Sequence, residues 1–218
     1  KKFKNRISAE YKILESVDVI IICLPTPLKS DKSPDLRYLG ICYKNLSKID
    51  LNNKLIILES TVYPGVTKNF ADQLVSQNID YKVGKNVFFG YSPERENPGD
   101  KNFSYQTTPK VVSGYSGECL KLIKNTYKII SKKVFSTNTL EEAETSKLLE
   151  NLYRSINIGL VNEMKLICDK LNIDVHKVIE TAATKNFGFQ KFIPGPGLGG
   201  HCIPIDPYYL SWIAKKRG

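Results

Sequence analysis

Residues 18–24 read Asp-Val-Ile-Ile-Ile-Cys-Leu, an apolar run that begins at a charge and stops at Pro25-Thr26-Pro27. A strand with one face in water alternates apolar and polar side chains. A run without alternation is buried on both faces, as in parallel sheets covered by helices. Working outward, residues 34–48 carry Leu36, Leu39, Ile41 and Leu46 and predict a helix. Leu55–Leu58, Leu-Ile-Ile-Leu, predicts a second buried strand that ends at Glu59-Ser60-Thr61. A helix over 64–77 follows, then a strand over 87–91 that ends at Ser92-Pro93-Glu94. Short strands at 111–114 and 133–136 flank an amphipathic helix at 118–130.

Buried strands alternating with helices predict an α/β fold, a partial Rossmann-like, doubly wound parallel sheet. The pattern changes near Asn138. Thr139-Leu-Glu-Glu142 fits a capping box. From there to Leu171 there is no proline, and Leu148, Leu152, Ile156, Leu160, Met164 and Ile167 recur at helical spacing. That predicts one helix of about 30 residues, roughly 45 Å long at 1.5 Å per residue. It is too long for a crossover in a small sheet, so it reads as a spine or a homodimer interface. Asp174 can cap a further helix through Ala183. The expected domains are therefore 1–138, a sheet domain, and 139–218, an all-α domain.

The 218 residues carry a net charge of +10 and are 41% hydrophobic. That apolar fraction is enough for a core. The lysines are scattered and belong to no nucleic-acid module, so the charge fits anionic small molecules better than nucleic acid. No apolar run is long enough to span a membrane. The basic start has no apolar segment behind it and does not read as a signal peptide. Five cysteines form no CxxC pair. An odd, unpaired set fits a reducing cytoplasm and argues against a disulfide framework or a zinc site. Cys23, Cys42, Cys119 and Cys168 sit among apolar neighbours and are expected in the core.

Cys202 differs from the other four. It lies in Pro194–Asp206, PGPGLGGHCIPID, where a glycine-rich loop meets a predicted helix through Tyr208, Leu210 and Trp212. Pro204 is tolerated in a first helical turn. The positive end of a helix stabilises a thiolate. Asp206, four residues on, can share a face with it. Glycines such as Gly199 and Gly200 let a ligand approach the backbone. The alternative is that Cys202 is a small packed apolar residue. Elsewhere, Pro25-Thr26, Ser60-Thr61 and Pro93-Glu94 each follow a predicted strand directly. Ligands of open parallel sheets bind at that edge. Lys147 and Asn151 are spaced i, i+4 and share a helix face.

PGPGLGGHCIPIDP, together with CLPTP, ESTVYPG, YSPERENPG and SKLLENLYRSINIGLVNEM in that order, resembles the UDP-glucose/GDP-mannose dehydrogenase family of nucleotide-sugar 6-dehydrogenases. The resemblance covers nearly the whole chain. Ile205, where the UDP-glucose branch usually has lysine, is similar to the branch that oxidises UDP-N-acetylhexosamines. The resemblance implies NAD as cofactor, lined by Pro25, Thr26, Ser60 and Thr61. It implies Cys202 as nucleophile and Glu94 as general base for water. Lys147 and Asn151 would sit at the reacting carbon, and Asp206 with Thr61 would orient water. Phe192 and Gly199, with Glu94, Lys147 and Asn151, would contact the UDP-N-acetylhexosamine. A role in surface polysaccharide biosynthesis is implied as well. The family's GxGxxG turn and second nucleotide-sugar domain are absent from these residues, so the chain reads as the middle of a longer protein and is expected to be inactive alone. A UDP-glucose 6-dehydrogenase, a non-catalytic oligomerisation fragment and a thiol hydrolase or transferase are the competing readings.

Overall fold

Three parallel strands end in register at one edge. They are β1 (Val19–Ile22), β2 (Lys54–Leu58) and β3 (Val87–Tyr91), with Ile22 opposite Leu58 and Leu58 opposite Tyr91. The computed structural model that contains them describes residues 7–95, 106–200 and 203–218. All five residues of β2 are buried, as expected of a strand covered on both faces, whereas β1, the end strand of the sheet among the described residues, buries Ile20 and Ile22 but leaves Ile21 42% exposed. Lys54 is tolerated there because its Nζ donates to the carbonyls of Glu15 and Val17, both at 2.8 Å.

The sheet has the order β1-β2-β3-β4-β5, with β4 at Lys110–Gly114 and β5 at Val134–Ser136. It is not parallel throughout. β4 runs antiparallel to β3, pairing Gly90 with Gly114 and Tyr91 with Ser113, and β5 is parallel to β4. The antiparallel junction brings the start of β4 to the edge where β1, β2 and β3 end. Helices α1 (Arg37–Leu46), α2 (Val66–Ser76) and α3 (Gly117–Lys128) connect the strands. Ser116 caps α3, its Oγ accepting from the Cys119 N–H at 3.3 Å. Gly114 is required by close approach: a Cβ there would lie 2.2 Å from the Leu120 nitrogen.

The chain divides into two compact units, Lys1–Lys147 and Leu148–Gly218, and helix α4 (Leu140–Lys170) belongs in part to each. At its start, Glu142 N–H donates to Thr139 Oγ1 at 3.1 Å and Thr139 N–H to Glu142 Oε2 at 3.4 Å, the reciprocal capping box. One turn later Glu144 is buried and accepts from the N–H groups of Gly65 at 2.6 Å and Thr67 at 2.8 Å. These donors belong to the first turn of α2, where orphan N–H groups need acceptors. Burial nevertheless dominates and pushes the Glu144 carboxyl up to about 7.

In the second unit, α5 (Val175–Ala182) starts at Asp174, whose carboxylate accepts from the His176 N–H at 2.9 Å. The final helix, α6, is Asp206–Arg217. Val161 and Cys168 of α4 pack with Val175 and Ile179 of α5. The expected apolar stripe of α4 is only partly buried. Leu148 is buried, but Ile156 and Leu160 are 60% and 57% exposed, and Ile167 is exposed as well.

Candidate functional site

In register, the loops after β1, β2 and β3 leave the same edge of the sheet, and they are tied together there. Ser60 Oγ accepts from the Leu24 N–H at 2.9 Å, and Thr26 Oγ1 donates to the Thr61 carbonyl at 2.7 Å. Thr26 and Thr61 are half-buried, Ser60 is buried and Pro25 is exposed. Thr26, Ser60 and Thr61 place small polar groups, with Pro25 beside them, at the carboxyl edge of parallel strands. That is where such sheets take dinucleotides.

Ser92 extends β3 and is locked to β4 by its hydroxyl, which donates to the Val111 carbonyl at 2.7 Å. Glu94 follows, half-buried. Its Oε1 accepts from the Arg95 N–H at 2.7 Å, and its Oε2 lies 3.3 Å from Lys110 Nζ. Lys110 also contacts Glu59 Oε1 at 2.9 Å, and the Tyr127 hydroxyl of α3 donates to that same oxygen. The sequence motifs do not single out Lys110 or the side chain of Glu59. Glu59 leads the ESTVYPG motif and was the available signal. Lys110 precedes an apolar strand and reads as a solvated end.

Cys23 departs from expectation. It is exposed, and its thiol donates to Glu59 Oε2 at 3.4 Å. The strand proper ends at Ile22, so Cys23 lies at the loop edge and outside the core. Partial burial and the neighbouring Glu59 carboxylate push this thiol up to about 11, which makes it a poor nucleophile at neutral pH. Cys42, Cys119 and Cys168 are buried, as their neighbours imply.

In the second unit Asn151 and Asp206, 55 residues apart in sequence, meet. Asn151 Nδ2 donates to Asp206 Oδ2 at 2.5 Å, and both residues are buried. Asp206 is the first residue of α6, with Pro207 in the first turn, so the helix starts after Pro204. Lys147, one turn before Asn151 on α4, is half-buried. Cys202 and His201 lie outside the described residues. Gly199 and Gly200 have φ of +68° and +72° with open space around them, so backbone handedness requires glycine there. Phe192 is half-buried against the α4–α5 cluster, its ring edge-on to Tyr153 with centroids 5.9 Å apart.

Residues 2–131 match the NAD binding domain, and residues 141–218 the central domain, of the UDP-glucose/GDP-mannose dehydrogenase family. Protein CapL of Staphylococcus aureus is 39% identical over 94% of this chain and 48% of its own length. A UDP-N-acetyl-D-glucosamine 6-dehydrogenase of Pseudomonas aeruginosa is 37% identical over the same shares, 94% and 48%. The solved structure of a UDP-D-ManNAc dehydrogenase from Pyrococcus horikoshii superposes with a TM-score of 0.88 at 33% identity, covering 95% of this chain and 49% of that one. The chain thus spans about half the length of the curated relatives it matches.

Proposed function

The chain belongs to the UDP-glucose/GDP-mannose dehydrogenase family, and from that premise we propose that it carries the NAD-binding and catalytic portion of a UDP-N-acetylhexosamine 6-dehydrogenase. The observation that carries the catalytic reading is the buried Asn151–Asp206 pair, two residues named from separate motifs that pack against each other. The names of the relatives support the substrate class.

Taking a primary alcohol to a carboxylate removes four electrons, and bound NAD supplies the hydride acceptor for each of the two oxidations. Pro25, Thr26, Ser60 and Thr61 would hold that cofactor at the carboxyl edge. The residues' own work is as follows. Cys202 adds as thiolate to the aldehyde carbon and keeps it from escaping as a thiohemiacetal. After the second oxidation the carbon is a thioester. Lys147 supplies positive charge, and Asn151 an N–H donor, to the oxygen as it gains charge. Asp206 accepts from Asn151 and so fixes the direction of its remaining N–H. Glu94 takes a proton from water. The new O–C bond forms as the C–S bond breaks, with the electron pair leaving on sulfur. Phe192 and Gly199 belong to the loop assigned to the sugar nucleotide. The exposed face of α4 supports a homodimer, and the unpaired thiols a cytoplasmic setting. Provision of uronic acids for surface polysaccharide is the proposed role.

The test is an assay of the full-length protein with NAD and UDP-N-acetylglucosamine, its galacto and manno epimers, and UDP-glucose. Two NADH per uronic acid are expected from an N-acetylhexosamine. No NADH from any of the four sugars would sink the proposal.

A further inference from the structure

A buried cation stands behind Glu94. Lys110 is only 4% exposed at its side chain, yet it touches two carboxylates, one nearly enclosed and one open. Glu59 is 10% exposed and is fully engaged: Oε1 accepts from Tyr127 and contacts Lys110, and Oε2 accepts from Cys23. Glu94 is 46% exposed and lies at the edge. A buried lysine needs a counter-charge, and removing that partner leaves a costly lone charge. Glu59 meets this need from inside the sheet, held on three sides by groups of β4, α3 and the β1 loop. Lys110 can therefore also donate to Glu94 Oε2. The antiparallel entry of β4 makes this possible, because it starts the strand at the edge where β3 ends.

We propose that Lys110, neutralised from behind by Glu59, is a positioning residue that fixes the Glu94 carboxylate at the carboxyl edge for its work on water. The inference rests on the reading of Glu94 given above. Arg95 supports the same geometry from the other side. Its backbone N–H holds Glu94 Oε1, and its Nη1 donates to the Pro109 carbonyl at 2.8 Å, tying the loop to the residue before Lys110. A donor on each oxygen fixes the plane of the carboxyl group and so the direction of its lone pairs. Water activation is the last step of the reaction and follows both oxidations, so loss of positioning should slow only what comes after NADH has formed.

Lys110→Met alone would strand Glu59 in the interior and could fail to fold. The informative variant is therefore Lys110→Met/Glu59→Gln in the full-length enzyme, which removes both buried charges together. Rapid mixing with NAD and UDP-N-acetylglucosamine should give an NADH burst of near wild-type amplitude. A steady state slowed about tenfold or more should follow, the scale of a misplaced reacting group. Mass spectrometry should find the sugar acyl group retained on the protein. Lys110→Arg, which keeps the charge, should recover most of the steady rate. A burst and steady state reduced in the same proportion would mean lost folded enzyme only, and would overturn the proposal. So would a wild-type steady state. Glu94→Gln, measured beside it, separates the two levels. If Glu94→Gln slows the steady state and the double variant does not, the positioning role falls alone. If Glu94→Gln itself turns over like wild type, the role of Glu94 falls and this inference falls with it.

Discussion

The two units bury their apolar residues differently. In the sheet unit, Ile20, Ile22, Ile56 and Leu58 join Leu39, Leu46, Phe70 and Leu74 of the helices in one continuous core. Leu55, Ile57, Val112, Ile123 and Tyr127 form a second core on the other face of the sheet. In the helical unit the enclosed cluster is Val161, Cys168, Val175 and Ile179. Leu149, Ile156, Leu160, Leu166 and Ile167 are exposed. Two-sided burial encloses the middle strands of the sheet, though Ile21 of β1 and Phe135 of β5 stay exposed, whereas a helix buries only the stripe that meets a neighbour. The helical unit instead encloses a polar pair, Asn151 and Asp206. The proposed division of labour is that the sheet unit supplies the cofactor platform together with Glu94 and Lys147, and the helical unit supplies Cys202, Asn151, Asp206 and an open apolar face.

Breaking that division at its chemical end should have the largest effect. Cys202→Ser in the full-length enzyme should lower uronic acid formation by about 10³-fold or more, the scale of losing a nucleophile. An alkoxide leaves less readily than a thiolate. The first oxidation needs no nucleophile, so some NADH should still form, with ester or aldehyde accumulating on the enzyme. Mass spectrometry after incubation with substrate and NAD would detect it. Near-normal acid production would remove Cys202 from the mechanism.

Next in size is damage to the core of the sheet unit. Ile57 is fully buried in β2, on the second core face. Ile57→Ala should cost about 2–5 kcal/mol, the usual range for a truncated buried aliphatic residue. Chemical denaturation followed by circular dichroism would measure it. A cost below about 1 kcal/mol would mean that the sheet unit is not the closed core described.

Much of this contrast is legible in the sequence, and what is not has physical causes. Unalternating runs announce β2 and β3 because two-sided burial leaves no polar position. Thr139 and Asp174 announce α4 and α5 because orphan N–H groups need side-chain acceptors. The spacing of Lys147 and Asn151 puts them on one face of a helix. What a sequence lacks is the direction of a strand. Apolar content is the same in a parallel and an antiparallel partner, so nothing marked β4 as reversed, and hence nothing marked Lys110 as a buried neighbour of Glu94. Periodicity also fails to say which side of a two-sided apolar helix is covered. Ile156 and Leu160 fit the same spacing as Val161 and Cys168, and only packing separates them.

Glu144 joins the start of α4 to α2 and sharpens the comparison through pH. Its carboxyl is raised from 4.5 to about 7, first by burial. A group raised in this way binds more protons folded than unfolded between those values, so stability falls as pH climbs through the window. The loss at that site is up to about 3 kcal/mol. Glu144→Gln carries no proton to lose. Its unfolding midpoint should change less than that of wild type between pH 5 and pH 8. Parallel curves for the two proteins would place the titration elsewhere.

The smallest effect within one chain is expected where the helical unit faces outward, and there it is the most diagnostic. Leu160 is exposed on α4, one turn beyond Ile156 and close to Asn157 and Gly159 on the same helix. An exposed side chain removed to alanine changes stability by less than about 0.5 kcal/mol when it touches nothing. Leucine and alanine are both good helix formers, so α4 itself should be indifferent. If the outward stripe is covered by a second copy of the protein, the same substitution removes a buried contact from both sides of a two-fold interface, and each loss counts twice. Leu160→Ala should then weaken self-association while leaving the unfolding midpoint at high dilution unchanged. Ile156→Glu/Leu160→Glu should abolish association, because two charges per chain would be desolvated without partners. Sedimentation velocity across a concentration series measures both. A wild-type protein that stays monomeric at micromolar concentration, or an association unmoved by the double glutamate variant, would mean that this face is covered by something other than a second copy, and the open half of the comparison would have to be assigned to a different partner.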